Sequence, residues 1–222
     1  MICYLYLYIH YFYTDNIVYT VIYGNGGVYI KVLGLVGSPN PEGNTAKLVK
    51  EILTGTSDRG AETRLYNLAA LDIKACDACY RCQADGKCAI EDDMQQLYEE
   101  ILASDALVLG TPVYMWQMTA QTKLFVDRLM AFVNPDFSSR IGGEKKLILA
   151  FTQGNSNPGS FKSYFEYTAG LFYFLGFDVL NTIIAPGTDQ SGISDQPEVL
   201  VRARDLGRDL GKVCAEVTCK AL

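Results

Sequence analysis

From residue 31 onward, short apolar segments alternate with longer amphipathic segments. The short segments, most of them rich in Val, Leu and Ile, are predicted strands at 31–36, 63–67, 106–109, 146–151 and 178–184. The longer segments carry apolar residues at helical spacing and are predicted helices at 45–53, 94–102, 119–132, 161–175 and 198–217. Strands that alternate with helices form a parallel sheet with helices on both faces. We therefore predict a doubly wound α/β sandwich with a five-stranded parallel sheet.

The size of the chain is consistent with one such domain. It has 222 residues, 49% of them hydrophobic, which is enough to bury one full core. We predict that this domain covers 31–222 and carries a cysteine-rich insertion at 72–93. Because crossovers between parallel strands are right-handed, the loops at their carboxyl ends gather at one edge. Three unusual loops, 37–45, 110–118 and 152–158, fall at that edge, where open α/β sheets bind ligands.

The loop at 37–45 has the composition of an anion-binding turn. Its side-chain donors are Ser38, Asn40, Asn44 and Thr45, and two glycines allow the backbone to approach a ligand closely. The helix that follows would direct its free N–H groups and the positive end of its dipole to the same point. Phosphate binding is one interpretation. The other is an ordinary strand–helix turn capped by Asn44 or Thr45.

The two other loops offer a surface for a flat ligand. Tyr114, Met115 and Trp116, the only tryptophan, follow a predicted Gly-Thr-Pro turn at 110–112. A heteroaromatic ring fits against such a surface, and a hydrophobic dimer interface is the alternative. Gln153 and Gly154 could hydrogen-bond the polar edge of a ring.

Four cysteines, Cys76, Cys79, Cys82 and Cys88, lie within thirteen residues in the pattern C-x2-C-x2-C-x5-C. Thiolates at these spacings can hold an iron–sulfur cluster. Three other interpretations stay open: a zinc site, redox-active thiols favoured by nearby cations, and loop cysteines that hold no metal. Together with a phosphate loop, the cysteines indicate electron transfer.

Composition excludes several classes of function. The formal net charge is −6, and the chain has no basic run, which argues against nucleic acid and anionic membranes as partners. His10 is the only histidine, so Ser-His-Asp hydrolysis and His-ligated metals are excluded from the main domain. The acidic residues Glu91, Asp92 and Asp93 are predicted to cap the helix that begins at 94. Clustered rather than scattered cysteines favour a reducing cytosol.

The first thirty residues differ from the rest. They hold eight of the fifteen tyrosines and no Lys or Arg. Residues 1–30 lack the features of a signal peptide, and the apolar run before Asp15 falls short of the ~20 residues that span a bilayer. The interpretation we favour is an atypical extension that is not native sequence. An added β-strand and an interfacial or partner-binding strand are the alternatives.

Residues 31–213 resemble the flavodoxin-like, FMN-binding NAD(P)H oxidoreductases, and within them the iron–sulfur flavoproteins. Three motifs in order carry the resemblance. They are Val-Gly-Ser-Pro-Asn-Pro-Glu-Gly-Asn-Thr at 36–45, the cysteine motif followed by Ile-Glu-Asp-Asp-Met at 90–94, and Thr-Pro-Val-Tyr at 111–114 leading to Lys123 and Asp127-Arg128. The resemblance implies a flavodoxin-like strand order.

The resemblance also implies roles for individual residues. The residues that would hold the FMN phosphate are Ser38, Asn40, Asn44 and Thr45. Those that would line the isoalloxazine are Pro112, Val113, Tyr114, Met115 and Trp116. Gln153 and Gly154 would contact the polar edge of the ring. Many relatives carry Arg where this chain has Asn40, so FMN would be held more weakly here or rely more on helix-end N–H groups.

The implied function is an FMN-dependent oxidoreductase or electron-transfer flavoprotein. In it a [4Fe–4S] cluster on the four clustered cysteines passes electrons to or from FMN, with NAD(P)H or a ferredoxin-like protein as redox partner and a small-molecule acceptor. An NAD(P)H-dependent quinone, nitro-compound or flavin reductase without a cluster is the alternative, and a zinc-stapled module without flavin is a third. We also predict a cytoplasmic homodimer or homotetramer, because Tyr114, Trp116 and the aromatic helix at 161–175 expose apolar surface.

Overall fold

The computed structural model describes residues 11–14, 17–20, 30–142 and 145–220. A five-stranded parallel sheet lies at its centre. Its strands are β3 (Lys31–Val36), β4 (Glu62–Asn67), β5 (Ala106–Pro112), β6 (Lys146–Thr152) and β7 (Asp178–Ala185). Two further strands, β1 (Tyr11–Thr14) and β2 (Ile17–Thr20), pair antiparallel with each other in a separate sheet.

The order of the central strands confirms the predicted fold. They lie in the order β4-β3-β5-β6-β7, and every neighbouring pair is parallel. This is the flavodoxin-like arrangement, in which the chain reverses direction across the sheet between β3 and β5. The crevice at the carboxyl ends of these two strands is therefore where a ligand is expected.

Six helices complete the described structure. They are α1 (Asn44–Ser57), α2 (Cys82–Asp85), α3 (Met94–Ala103), α4 (Ala120–Arg128), α5 (Lys162–Phe174) and α6 (Pro197–Lys220). None of the helices in the described ranges is long and apolar enough to cross a membrane.

The helices cover both faces of the sheet because successive strand residues point to opposite sides. Val32 and Val36 of β3 belong to an apolar cluster with buried residues of α1 and α6. Leu33 and Leu35 of the same strand pack on the other side with buried residues of α3, α4 and α5. The central strands β3, β5 and β6 are thus buried on both faces, as their apolar sequences predict.

Two glycines allow α1 and α6 to touch backbone to backbone. A Cβ atom on Gly55 would lie 2.0 Å from the Arg204 carbonyl oxygen, and one on Gly207 would lie 1.9 Å from the Ile52 carbonyl oxygen. Neither carbonyl can move without moving its helix, so this contact requires glycine at both positions.

The structure corrects several predicted boundaries. The helices predicted at 45–53 and 198–217 extend to Ser57 and Lys220. The segment predicted as a turn at 110–112 continues β5, because its three residues pair with 150–152 of β6. The helix predicted at 119–132 ends at Arg128 and tightens into a 3₁₀ turn, Leu129–Phe132, as helices often do at their carboxyl ends.

Candidate functional site

Hydrogen bonds to β5 and to the start of α4, supported by buried threonine hydroxyls, hold the loop after β3 in place. The Gly37 amide donates to the Gly110 carbonyl at 2.7 Å, and the Thr119 hydroxyl donates to the Gly37 carbonyl at 2.6 Å. Thr119 also caps α4 by accepting from the Thr122 amide at 3.2 Å. The Thr122 hydroxyl lies 2.9 Å from that of Thr119 and donates to the Thr111 hydroxyl at 3.1 Å. These bonds fix the first loop to β5 and to the start of α4.

The four predicted phosphate donors differ in burial and in the hydrogen bonds that their side chains already make. Ser38 is buried and accepts from the Asn40 amide at 3.2 Å, while Asn40 is exposed and accepts from the Glu42 amide at 3.1 Å. Asn44 donates to the Thr188 carbonyl at 3.3 Å and accepts from the Ile193 amide at 2.9 Å. The Thr45 hydroxyl lies 2.7 Å from that of Thr152.

The start of α1 is not capped by Asn44 or Thr45, so the cap in the alternative interpretation is wrong. Gly43 is the N-cap residue, and no side chain in the described part of the chain caps the helix there. Asn44 instead ties the helix to the loop after β7, and Thr45 ties it to the last residue of β6. The amides of the first turn are left facing the crevice end of the sheet, which is the arrangement that favours an anion.

The loop after β5 is a tight two-residue turn. Tyr114 and Gln117 exchange two backbone bonds, of 2.9 and 3.0 Å, across Met115 and Trp116. Both central residues have positive φ, 45° and 67°, as in a type I′ turn. Such conformations are unfavourable for side chains other than glycine and are found mostly at functional sites. The turn exposes Met115 by 85% and Trp116 by 68%, so both side chains are available to a ligand or a partner.

The loop after β6 presents a buried amide. The Gln153 side chain is buried and donates to the carbonyls of Asn155 and Asn157, both at 2.8 Å. Its oxygen, Oε1, is buried and has no hydrogen-bond partner among the described residues. Beside it, Gly154 lies so close to Asp189 that a Cβ atom would fall 1.9 Å from the carboxylate. All three loops lie at one edge of the sheet, as predicted, since β3, β5 and β6 are neighbours.

The four clustered cysteines line one cavity of about 330 Å³, together with Asp127 of α4 and Met130 of the 3₁₀ turn that follows it. Cys76 and Cys79 are exposed and Cys82 and Cys88 are half-buried, and all four are free thiols. In the ranges that the structure describes, no three Cys, His, Asp or Glu side chains converge closely enough to hold one metal ion. The thiols therefore share one cavity without closing on a single point.

The four thiols also interact electrostatically. Burial raises the pKa of Cys82, and the negative charge of Cys88, Cys76 and Cys79 raises it further. The Arg81 Nε donates to the Cys79 sulfur at 3.5 Å. A metal centre that binds the thiolates would offset this mutual repulsion, because its positive charge compensates their negative charges.

The base of the cysteine loop rests on a buried ion pair that sequence reasoning missed. Arg128, at the end of α4, donates to both carboxylate oxygens of Asp92 at 2.6 and 3.1 Å, and both side chains are fully buried. Burial alone would raise the pKa of Asp92, but the interaction with Arg128 and the bonds from the Lys74 and Met94 amides together outweigh it and hold the pKa below its ordinary value.

The prediction that Asp92 and Asp93 cap α3 is therefore only part of their role. Asp92 does accept from the Met94 amide at 3.1 Å, but its carboxylate also pairs with Arg128. Asp93 is the N-cap residue by position, yet its side chain accepts from the Asp72 amide instead. The available signal was Arg128 itself, since it falls on the same helical face as Phe125 and Phe132, both of which are buried.

A second cavity, of about 470 Å³, lies between α4 and α5. It adjoins the cysteine cavity, since Asp127 and Met130 line both. Aromatic residues of α5 border it, and two of them, Tyr167 and Phe174, are exposed by 73% and 46%.

Comparison with known proteins agrees with this geometry. The family profile of NADPH-dependent FMN reductases matches residues 30–173. An iron–sulfur flavoprotein of Methanocaldococcus jannaschii is 30% identical over 200 residues, which are 85% of this chain and 97% of the relative. An iron–sulfur flavoprotein of Archaeoglobus fulgidus is 34% identical over 153 residues, 69% of this chain and 73% of the relative.

Among solved structures, the NAD(P)H:quinone oxidoreductase from Methanothermobacter marburgensis superposes with a TM-score of 0.66 at 18% identity. The match covers 82% of this chain and all of that one, and it supports the fold. The profile match and the two relatives establish more than the fold. The chain is an FMN-dependent NAD(P)H oxidoreductase and belongs to the NADPH-dependent FMN reductase family, in its iron–sulfur flavoprotein branch.

Proposed function

We propose that this oxidoreductase holds a [4Fe–4S] cluster on Cys76, Cys79, Cys82 and Cys88, and that the cluster exchanges electrons with FMN bound at the carboxyl edge of the sheet. The observation that carries the proposal is the single cavity lined by all four thiols beside the end of α4. FMN supplies hydride chemistry and the cluster supplies single-electron transfer. The protein's residues bind and orient both groups.

The residues at the sheet edge fit FMN. Ser38, Asn40 and the uncapped amides of α1 are suited to the phosphate, with Asn44 and Thr45 acting through their backbone and by tying the loop in place. The isoalloxazine would lie against the 112–116 segment. The buried oxygen of Gln153 lacks a donor among the described residues and suits a ring N–H, with Gly154 allowing close approach.

The cysteine loop fits an iron–sulfur cluster with four thiolate ligands better than it fits a single metal ion. The donor set is four thiols, which iron–sulfur clusters prefer. Thiolates around a four-iron core stand further apart than those around one ion, so a shared cavity without a single point of convergence is compatible with a cluster.

The experiment is the absorption spectrum of anaerobically purified protein, with iron and acid-labile sulfide assayed on the same sample. We expect a flavin spectrum above a broad shoulder, with about four irons per chain. The variant Cys82→Ser should lose the iron and keep the flavin. Cys214→Ser is the matched control, because Cys214 is a buried thiol of α6 outside the cysteine cavity. Full iron in Cys82→Ser would contradict the ligand set.

A second candidate is an NAD(P)H-dependent quinone, nitro-compound or flavin reductase in which the cysteines hold no metal. The exposure of Cys76 and Cys79 as free thiols is compatible with it. Rapid mixing with NADH or NADPH distinguishes the candidates further. Fast bleaching of the flavin in iron-free protein supports this reductase, whereas bleaching only when iron is present supports the cluster protein.

We propose that the redox partners are NAD(P)H or a ferredoxin-like protein, with a small-molecule acceptor, and that the protein works as a homodimer or homotetramer in a reducing cytoplasm. The exposed Tyr114, Met115, Trp116 and Tyr167 support self-association. The four clustered cysteines carry free thiols, as a reducing compartment would keep them. Light scattering coupled to size exclusion tests the assembly, and the mass of one chain would contradict it.

A further inference from the structure

We propose that Arg128 is a positioning residue that holds both ends of the cysteine loop, residues 75–89, on the end of α4. It thereby fixes the four thiols relative to the loop at 37–45, which is the flavin loop of the proposed function. The inference rests on the proposed function for its consequence, the placement of the cluster. Its structural part, the anchoring of the loop, can be tested with or without a metal.

The Arg128 guanidinium bonds both Asp92 and the two ends of the cysteine loop. Besides its two bonds to Asp92, Arg128 donates to the Lys74 carbonyl at 2.9 Å and to the Ile90 carbonyl at 3.3 Å. Lys74 precedes the first clustered cysteine by two residues, and Ile90 follows the last by two. One side chain therefore closes the loop at its base.

Asp92 and Gln95 complete the anchor. Asp92 accepts from the Lys74 amide at 2.9 Å and from the Met94 amide at 3.1 Å. The side-chain amide of Gln95 donates through Nε2 to the carbonyls of Cys88 and Ile90 at 3.1 and 2.7 Å. The end of the loop that carries Cys88 is thus tied to both α3 and α4.

Helix α4 connects the flavin loop to the cysteine loop. Its first turn is joined to the flavin loop, because the Thr119 hydroxyl bonds the Gly37 carbonyl. Its last residue is Arg128. A nine-residue helix is about 14 Å long at 1.5 Å per residue, so α4 acts as a rigid spacer between the two loops.

The anchoring role of the Arg128–Asp92 pair can be separated from its contribution to the free energy of unfolding. A buried ion pair often contributes little to net stability, since burying two charges offsets their attraction. Replacement of such a pair by apolar side chains of similar volume is often neutral or stabilising. Here the apolar replacement would remove the bonds to the loop carbonyls and leave the core filled, so it separates the anchoring role from stability.

The experiment compares Arg128→Met/Asp92→Leu and Arg128→Lys with the native protein, and uses Arg204→Met as the control. Arg204 also bonds carboxylates, those of Asp58 and Glu51, but on the α1–α6 side of the sheet. Hydrogen exchange of residues 75–89, iron per chain and bound FMN are measured on protein as purified. We expect exchange at 75–89 to rise at least tenfold and iron to fall by more than half in both Arg128 variants. Exchange in β5 and β6, FMN content and the control should not change.

Several results would overturn the inference. One is unchanged hydrogen exchange at 75–89 in the double variant. Another is native hydrogen exchange and native iron content in Arg128→Lys, since the point charge of a lysine cannot reproduce the four bonds of the guanidinium. If the double variant does not fold, the Arg128→Lys protein decides alone. If native protein contains no iron, the proposed cluster fails, but the exchange measurement still judges the anchoring role.

Discussion

The substitution Gly37→Ala tests whether the flavin loop is locked to α4. A Cβ atom on Gly37 would lie 1.8 Å from the Thr122 hydroxyl oxygen and 3.1 Å from its Cβ. Thr122 is fully buried and cannot rotate away without losing its bonds to Thr111 and Thr119. Overpacking costs about 1–3 kcal/mol, and two lost hydrogen bonds add about 1 kcal/mol each. We expect a loss of about 3 kcal/mol in the free energy of unfolding.

A double-mutant cycle makes the test specific. Thr122→Ala alone should cost about 2 kcal/mol for the lost hydroxyl bonds and methyl group. In Gly37→Ala/Thr122→Ala the clashing oxygen is absent, so the combined loss should be about 3 kcal/mol rather than the additive 5, a coupling of about 2 kcal/mol between contacting residues. Gly170→Ala is the control, because a Cβ atom there meets nothing within 4 Å.

The assay is urea unfolding of flavin-free protein, with FMN affinity followed by fluorescence quenching. Gly37→Ala should also weaken FMN binding at least tenfold, since the loop that carries Ser38 must shift. The Gly170→Ala control should be neutral or stabilised by about 0.5–1 kcal/mol, as for glycine in an exposed helix interior. Additive losses in the cycle, or a loss below about 1 kcal/mol in Gly37→Ala, would refute the close contact with Thr122.

Three further predictions concern other parts of the molecule. Gly55→Ala should cost more than about 3 kcal/mol, because the clash is with a backbone carbonyl of α6 that cannot rotate away; an unchanged melting temperature would contradict the packing of α1 on α6. Trp116→Gly should stabilise flavin-free protein by about 1 kcal/mol by relieving the left-handed backbone, yet weaken FMN binding; equal FMN affinity would remove Trp116 from the ring site. Asp92 has a folded-state pKa below its ordinary value of 3.8, so its contribution to stability is present above about pH 4 and lost as the pH falls through the folded value. Asp92→Asn should therefore be less stable than native protein at pH 7 and lose less stability on acidification to pH 3, as measured by thermal unfolding; parallel acid profiles would contradict this.

Residue pattern alone was sufficient for the sheet and for the edge at which the three unusual loops meet. The apolar runs at 31–36 and 146–151 coincide with β3 and β6 to within a residue, because buried parallel strands need unbroken apolar sequence. Segments whose pattern is weaker were placed less well. The turn predicted at 110–112 is strand, since pairing with β6 outweighs the turn propensity of glycine and proline.

The individual roles of site residues depended on contacts that no local pattern contains. Asn44 and Thr45 have the chemistry of phosphate ligands, but their side chains bond residues more than a hundred positions away. Asp92 has the position of a helix cap, but Arg128 reaches it from another helix.

The amino-acid sequence by itself determined the alternation of strands and helices, the three loops at the carboxyl edge and the cysteine spacing, because each of these depends on neighbours within a few residues. Only the tertiary structure decided that Thr119 bonds the flavin loop while Arg128 closes the cysteine loop at the other end of the same helix. Such bonds join groups that the chain brings together only when the core is packed, so their partners cannot be deduced from spacing along the sequence.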